Sequence, residues 1–256
     1  MVKRPAQNSI RPWAVAFWLL VWQGASMALA ALWPNGHLLL ASPISAALRL
    51  GELAVTAAFW RAIGWSALRI IGGFLLSCCA ASLLAVPASR WRWVQELLSP
   101  LVAAVKAVPV ASFIILALVW LRVSSLPLFI AGLMVFPPVY LNVLTGIRSA
   151  DRKLMEMARV FRVPLGRQLT GIYLPAVLPY FRSAASLGLG LCWKSGVAAE
   201  VIGLSAGTVG EALYTAKVYF LTPDLFAWTA VIVAVSAAFE KLFLRAVDRL
   251  AGKVGV

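Results

Sequence analysis

Apolar residues gather along this chain into long runs separated by short polar gaps. The runs are Trp13 to Trp33, Ser66 to Pro87, Pro100 to Leu121, Ser124 to Ile147, Ala176 to Ile202 and Phe226 to Leu244. Each is close to or above the roughly 20 mostly apolar residues that a helix needs to cross a bilayer. The pattern predicts an all-α, polytopic membrane protein with about six transmembrane helices. Between the first two runs, Pro34 to Gly64 mixes Arg49, Glu52 and Arg61 with apolar residues, the pattern of a short surface helix. Ser89 to Ser99 reads as a loop. The third run holds Lys106 and Pro109, so it starts in the interface or is bent, and Pro137 with Pro138 predicts a kink in the fourth.

Composition agrees, with 62% hydrophobic and 12% charged residues and a mean hydropathy of +0.90. A soluble domain is about 45–50% apolar and about 25% charged. The formal charge of +14 resides in the gaps between apolar runs, not along one face or tail, which points to membrane topology and away from nucleic acid. Fifteen basic residues fall on one side of a six-span arrangement: Lys3, Arg4, Arg11, Arg90, Arg92, Arg148, Arg152, Lys153, Arg159, Arg162, Arg167, Lys241, Arg245, Arg249 and Lys253. Five fall on the other: Arg49, Arg61, Arg69, Arg122 and Lys217. The positive-inside rule then puts both termini and the loop after the fourth run in the cytoplasm. A five-span variant, with the first run cleaved as a signal, stays open. Cys78, Cys79 and Cys192 lie inside apolar runs and suit packing, and His37 stands without ligand partners, so neither a metal site nor a catalytic group is expected.

The loop after the fourth run is not a plain polar connector. Leu154, Met157, Ala158 and Phe161 recur at helical spacing, with Arg152, Lys153, Glu156 and Arg159 largely on other faces. Val163, Pro164, Leu165 and Gly166 then break the helix, and a second short helix runs into Pro175. Such an amphipathic knob needs a partner, either the membrane surface or a protein groove.

In this loop the chain resembles the membrane subunits of bacterial ATP-binding-cassette importers. Their signature is a Glu-Ala-Ala loop followed by a glycine and later by Leu-Pro. Glu156, Met157 and Ala158 occupy the Glu-Ala-Ala positions, Ile172, Leu174 and Pro175 match the second half, and Arg162 stands where the family has its glycine. That departure calls the tight turn into question and leaves Pro164 and Gly166 to supply the bend. AVPVASFIILALVW at 107–120, FPPVYLNVLTGIRS at 136–149 and AAEVIGLSAGTVGEALY at 198–214 resemble the nitrate, sulfonate and taurine group. The resemblance implies that Met155 to Arg167 is a coupling helix docking into a separate ATPase subunit. Glu156 would pair with a basic residue there, while Leu154, Met157, Ala158 and Phe161 form the apolar plug, with Arg162 and Gly166 at the turn. It also implies a second permease copy, identical or similar, no cofactor of the chain's own, an extracytoplasmic solute-binding protein and a location in the inner membrane. The chain then divides into a cytoplasmic tail (1–12), a first span (13–33), an extracytoplasmic loop (34–64), the permease domain (65–249, coupling loop 150–172) and a second cytoplasmic tail (250–256).

ATP hydrolysis belongs to the partner, because the chain carries no phosphate-binding loop. Gly188 to Ser195 (GLGLCWKS) imitates one, but Trp193 replaces the glycine before the lysine. Ser186, Gly190 and Lys194 are four apart and share a helix face, and with Glu200 they form the candidate pathway, Lys194 attracting a small anion such as nitrate, sulfonate or taurine. Snorkelling of Lys194, or its pairing with Glu200, is the packing alternative. The competing function is an ion-gradient-driven secondary transporter or channel, which often shows inverted repeats; none is evident here.

Overall fold

The computed structural model describes residues 11–254. The expected amino-terminal tail, with Lys3 and Arg4, lies almost wholly outside the described residues, as do the last two residues of the expected carboxy-terminal tail. Among the described residues every regular element is helical. In order they are α1 (Pro12–Leu32), α2 (Gly36–Leu39), α3 (Pro43–Ala54), α4 (Ala57–Arg90), α5 (Arg92–Ala107), α6 (Val110–Leu118), α7 (Leu126–Arg148), α8 (Arg152–Val160), α9 (Leu165–Gln168), α10 (Leu174–Gly203), α11 (Val209–Val218) and α12 (Thr222–Val254). A 3₁₀ turn (Val123–Ser125) precedes α7, and a π turn (Leu169–Tyr173) joins α9 to α10.

Each expected apolar run lies in helix, with differences at the ends and at one break. Three helices, α1, α4 and α7 with its preceding turn, combine spanning length with high apolarity. The third run is not one helix: α5 and α6 meet at an angle of 106°. The cause is local. Val108 is extended (φ −80°, ψ 133°), as a residue before proline prefers, and Pro109, lacking an N–H, opens the next helix. Alone, the 9 residues of α6 cover about 14 Å, half the apolar thickness of a bilayer. The expected loop at Ser89 to Ser99 is also corrected, since only Trp91 separates α4 from α5, and an i,i+4 pair between Arg92 and Glu96 (2.9 Å) supports the first turns of α5. The expected surface helix ends earlier than the pattern suggested, because α4 already begins at Ala57. α7 stays one helical element through Pro137 and Pro138. The last two runs lie in α10 (30 residues) and α12 (33 residues), each long enough to span.

The helices gather into two compact units. In the smaller, residues 11–59 with 212–230, α1 is tied to the chain that follows it by Trp22 Nε1 donating to the Ala41 carbonyl (2.9 Å) and Ser26 Oγ to the Leu40 carbonyl (2.9 Å). Ser42 caps α3 by accepting from Ser45 N–H (3.1 Å). Arg49 clamps Asp224 through two nitrogens, 2.6 and 3.1 Å, and reaches Glu52 at 2.7 Å. The hydrogen bonds to Asp224 and then Glu52 hold its guanidinium still further above its ordinary range. α1 is exposed nearly all round, Trp13, Trp18, Leu20 and Met27 included, as expected of a helix bathed in lipid.

The larger unit comprises residues 60–211 with 231–254 of the described chain. Its most extensive helix pairing is between α7 and α10. Small residues make it possible: a Cβ on Gly146 would lie 2.9 Å from Val177 Cα and 3.2 Å from the Tyr180 ring. Similarly, a side chain at Gly73 of α4 would collide with the Leu128 carbonyl of α7. Phe74, fully buried, packs edge-on to Phe243 (5.0 Å between centroids), while Ile114, Leu126, Ile130 and Ala199 close a second buried cluster.

Because overpacking typically costs about 1–3 kcal/mol, Gly146→Val is expected to lower the melting temperature of the detergent-solubilised chain. An unchanged melting curve would rule out the close approach of α7 and α10 at this point.

Candidate functional site

The segment from Ala150 to Tyr173 joins the two most extensively paired helices, and its sequence dictates its shape residue by residue. Asp151 caps α8, its Oδ1 accepting from Lys153 N–H at 2.8 Å. The helix ends in a Schellman turn: Val163 N–H donates to the Ala158 carbonyl (2.8 Å) and Arg162 N–H to the Arg159 carbonyl (3.2 Å). This geometry requires a left-handed residue between them, and Arg162 occupies it with φ +50°. The tight turn therefore exists despite the missing glycine. It is made at Arg162, not at Pro164 and Gly166 as the sequence suggested. Pro164 instead caps α9, inside which Gly166 is helical, and Gln168 Nε2 donates back to the Val163 carbonyl (2.7 Å).

Two faces of α8 have different environments. Ala158 is 1% exposed and Met155 is half-buried, with the Tyr173 hydroxyl donating weakly to its sulfur at 3.7 Å. Leu154, Met157 and Phe161 point outward, and Phe161 is 75% exposed. The structure thus divides the expected apolar stripe, with Ala158 seating the helix and the other three forming an outer face. Val160 (77% exposed) extends that face and was missed. Val160 lies three residues after Met157, a spacing that could have revealed it. Glu156 is exposed beside this face, and Arg162 and Gly166 are exposed at its end.

Between the carboxyl ends of α4 and α7, the inner side of α8 and the start of α10 lies a cavity of about 1400 Å³. Its polar lining includes Arg90, Arg148, Arg152, Arg159 and Glu156.

The candidate pathway residues separate into two groups. Gly190 and Lys194 are exposed on one face of α10, between exposed Leu187 and Leu191. Ser186 is half-buried and donates to Glu240 Oε1 at 2.9 Å. Glu200 is fully buried and does not pair with Lys194: its Oε2 accepts from Ser66 Oγ (2.8 Å) and from Gly210 N–H (3.1 Å), and Ser66 Oγ accepts in turn from Val209 N–H (3.0 Å). The carboxylate thus faces the amino terminus of α11, where a helix dipole favours negative charge. Gly188 to Ser195, the imitation phosphate loop, is helical throughout within α10. Among the described residues no cluster of His, Cys, Asp or Glu is arranged to hold a metal ion.

An all-helical chain with long apolar helices, a helix broken at a proline and an exposed amphipathic knob defines a polytopic membrane protein. Residues 73–255 match the family described as binding-protein-dependent transport system inner membrane component, and the chain belongs to it. It is 30% identical over 213 residues to the putative aliphatic sulfonates transport permease protein SsuC of Bacillus subtilis, covering 82% of this chain and 76% of the relative. The Escherichia coli protein of the same name is 26% identical over 243 residues, 94% of this chain and 90% of that one. The Escherichia coli taurine transport system permease protein TauC is 27% identical over 198 residues, 75% and 70% of the two chains.

A left-handed backbone costs a non-glycine residue roughly 1–2 kcal/mol. Arg162→Gly is therefore expected to raise the stability of the purified chain by about 1 kcal/mol, whereas Arg162→Val lowers it, both read from thermal unfolding in detergent. The opposite order would show that the Schellman turn is not made at this residue.

Proposed function

We propose that this chain forms the solute path of an ATP-driven importer and receives the motion of a separate ATPase subunit through α8. The observation that carries the reading is the exposed apolar face of Leu154, Met157, Val160 and Phe161, on a helix whose adjoining side is seated through buried Ala158 and half-buried Met155. A short helix with one side seated and the other bare is suited to enter a groove, and rigid packing on both sides transmits displacement. Glu156 supplies a charge at the edge for a basic partner residue. The functional unit pairs two permease copies, two ATPase subunits and an extracytoplasmic binding protein. The excess of basic residues in this loop supports a cytoplasmic position for it and for both termini.

The transported solute is a small anion of the sulfonate, taurine or nitrate class. Relatives named for aliphatic sulfonates and taurine support this, together with the exposed cation Lys194 on α10, which makes no ion pair among the described residues. Glu200, buried and hydrogen-bonded, holds the end of α10 to α4 and α11 and is assigned to support of the path, not its lining.

Docking is tested by co-purifying the chain with its co-expressed ATPase subunit in mild detergent. Removing an anchor from the middle of an interface typically costs at least about 2 kcal/mol, roughly thirtyfold in affinity. Phe161→Asp and Met157→Asp are each expected to abolish recovery of the ATPase while the permease remains folded, and full recovery with both variants would exclude the face as the docking surface. The pathway is tested separately by uptake: Lys194→Met is expected to raise the half-saturating concentration or reduce the maximal rate for an anionic solute. Unchanged uptake kinetics would remove Lys194 from the path.

A further inference from the structure

We propose that the cavity behind α8 is a binding site for one anionic phospholipid, whose headgroup is held by arginines and whose acyl chain occupies the apolar interior. The cavity has two chemically distinct parts. One is walled by Val143 and Ile147 of α7 and by Val177, Leu178 and Phe181 of α10. The other gathers Arg90 of α4, Arg148 of α7, and Arg152 and Arg159 of α8, with Glu156 as the one acidic residue in the lining.

The arginines are not neutralised by the protein. Arg90, Arg152 and Arg159 form no ion pair among the described residues, and Arg148 donates to neutral acceptors, Gln95 Oε1 at 2.7 Å and the Ala88 carbonyl at 3.3 Å. Helix dipoles account for some of this charge, because Arg90, Arg148 and Arg159 lie in the last turns of α4, α7 and α8. They do not account for Arg152, which opens α8 at its positive end. Convergence of four cations on one cavity against a single carboxylate calls for an anion. Phosphate oxygens suit guanidinium groups through charge-assisted, bidentate hydrogen bonds.

A free phosphate would satisfy the arginines and leave the apolar walls in water. A phospholipid satisfies both parts at once. Basic pockets at the cytoplasmic ends of membrane helices are suited to acidic headgroups of the inner leaflet. This placement rests on the cytoplasmic position proposed above for the loop. The lipid would touch α4, α7, α8 and α10 together, so it would brace the inner side of the coupling knob against the helices it must move.

The test uses the full-length chain in neutral detergent and native mass spectrometry, with phosphatidylglycerol and phosphatidylcholine of identical acyl chains as probes. Phosphatidylglycerol should be retained and phosphatidylcholine lost. Each arginine near a membrane surface contributes about fivefold in affinity, so Arg90→Gln, Arg152→Gln and Arg159→Gln together should weaken phosphatidylglycerol binding by about a hundredfold. Leu178→Trp keeps every arginine and fills the apolar part, and it should also reduce retention; this second variant answers the question if the triple variant fails to fold. Equal retention of the two lipids, or phosphatidylglycerol binding unchanged in the folded variants, would overturn the proposal. Displacement of the lipid by millimolar inorganic phosphate would overturn it in favour of a free-anion site. The cytoplasmic placement is checked independently, by labelling Arg167→Cys in spheroplasts with a membrane-impermeant maleimide against the unsubstituted chain. Labelling from outside would refute the orientation without affecting the binding result in detergent.

Discussion

Where Gly146 meets Val177 and Tyr180, the backbones of α7 and α10 approach closely enough that a single added methyl group would have no room. These two helices bracket the loop that carries the exposed face of α8, so their separation sets the distance the loop must bridge. In lipid there is no hydrophobic driving force between apolar helices, and close contact has to come from small residues and dispersion. Glycine at this point makes the contact intimate, and the buried side chains Val135, Val139, Ala184, Ala185 and Leu189 continue it along both helices. The loop inherits a fixed base from that packing.

Upon that base α8 is held by its inner side and finished by a turn at Arg162. An arginine in a left-handed conformation is strained, and the two Schellman hydrogen bonds with the capping of α9 by Pro164 hold it there. The result is a short helix with a seated side and a bare one, the form that the proposed docking role calls for. The cavity behind it adds a second feature to the same element: cations gathered on an apolar recess at the end of the helix bundle.

At the far end of α10 the chemistry is different. Glu200 is removed from solvent and tied to Ser66 and to the first turn of α11. A buried carboxylate is tolerated where donors converge on it, and here a serine hydroxyl and a backbone N–H at a helix amino terminus do so. Lys194, six residues earlier, lies on an exposed face. One helix therefore carries one acidic side chain used to fasten it and one cation left exposed, and their spacing of six residues, about 240° around the helix, sets them on different faces.

Much of this was legible in the residues. Helical content, the number of apolar runs, the irregularity at Pro109 and the amphipathic loop follow from hydropathy, proline chemistry and period alone, because a bilayer demands long apolar helices whatever their neighbours. Periodicity also placed Leu154, Met157 and Phe161 together. It could not separate Ala158 from them, since one turn of helix gives four neighbours and only the packing of α8 on the rest of the larger unit decides which is covered. Nor could it show that the tight turn is still made at Arg162, because left-handed geometry is imposed by the hydrogen bonds of the completed turn. The pairing of Glu200 with Ser66, 134 residues away in the chain, was likewise beyond local reasoning. Local pattern determined which segments are helical and apolar; only the tertiary structure decided which polar groups are fastened inside and which are left exposed, because burial depends on contacts between segments far apart in the chain.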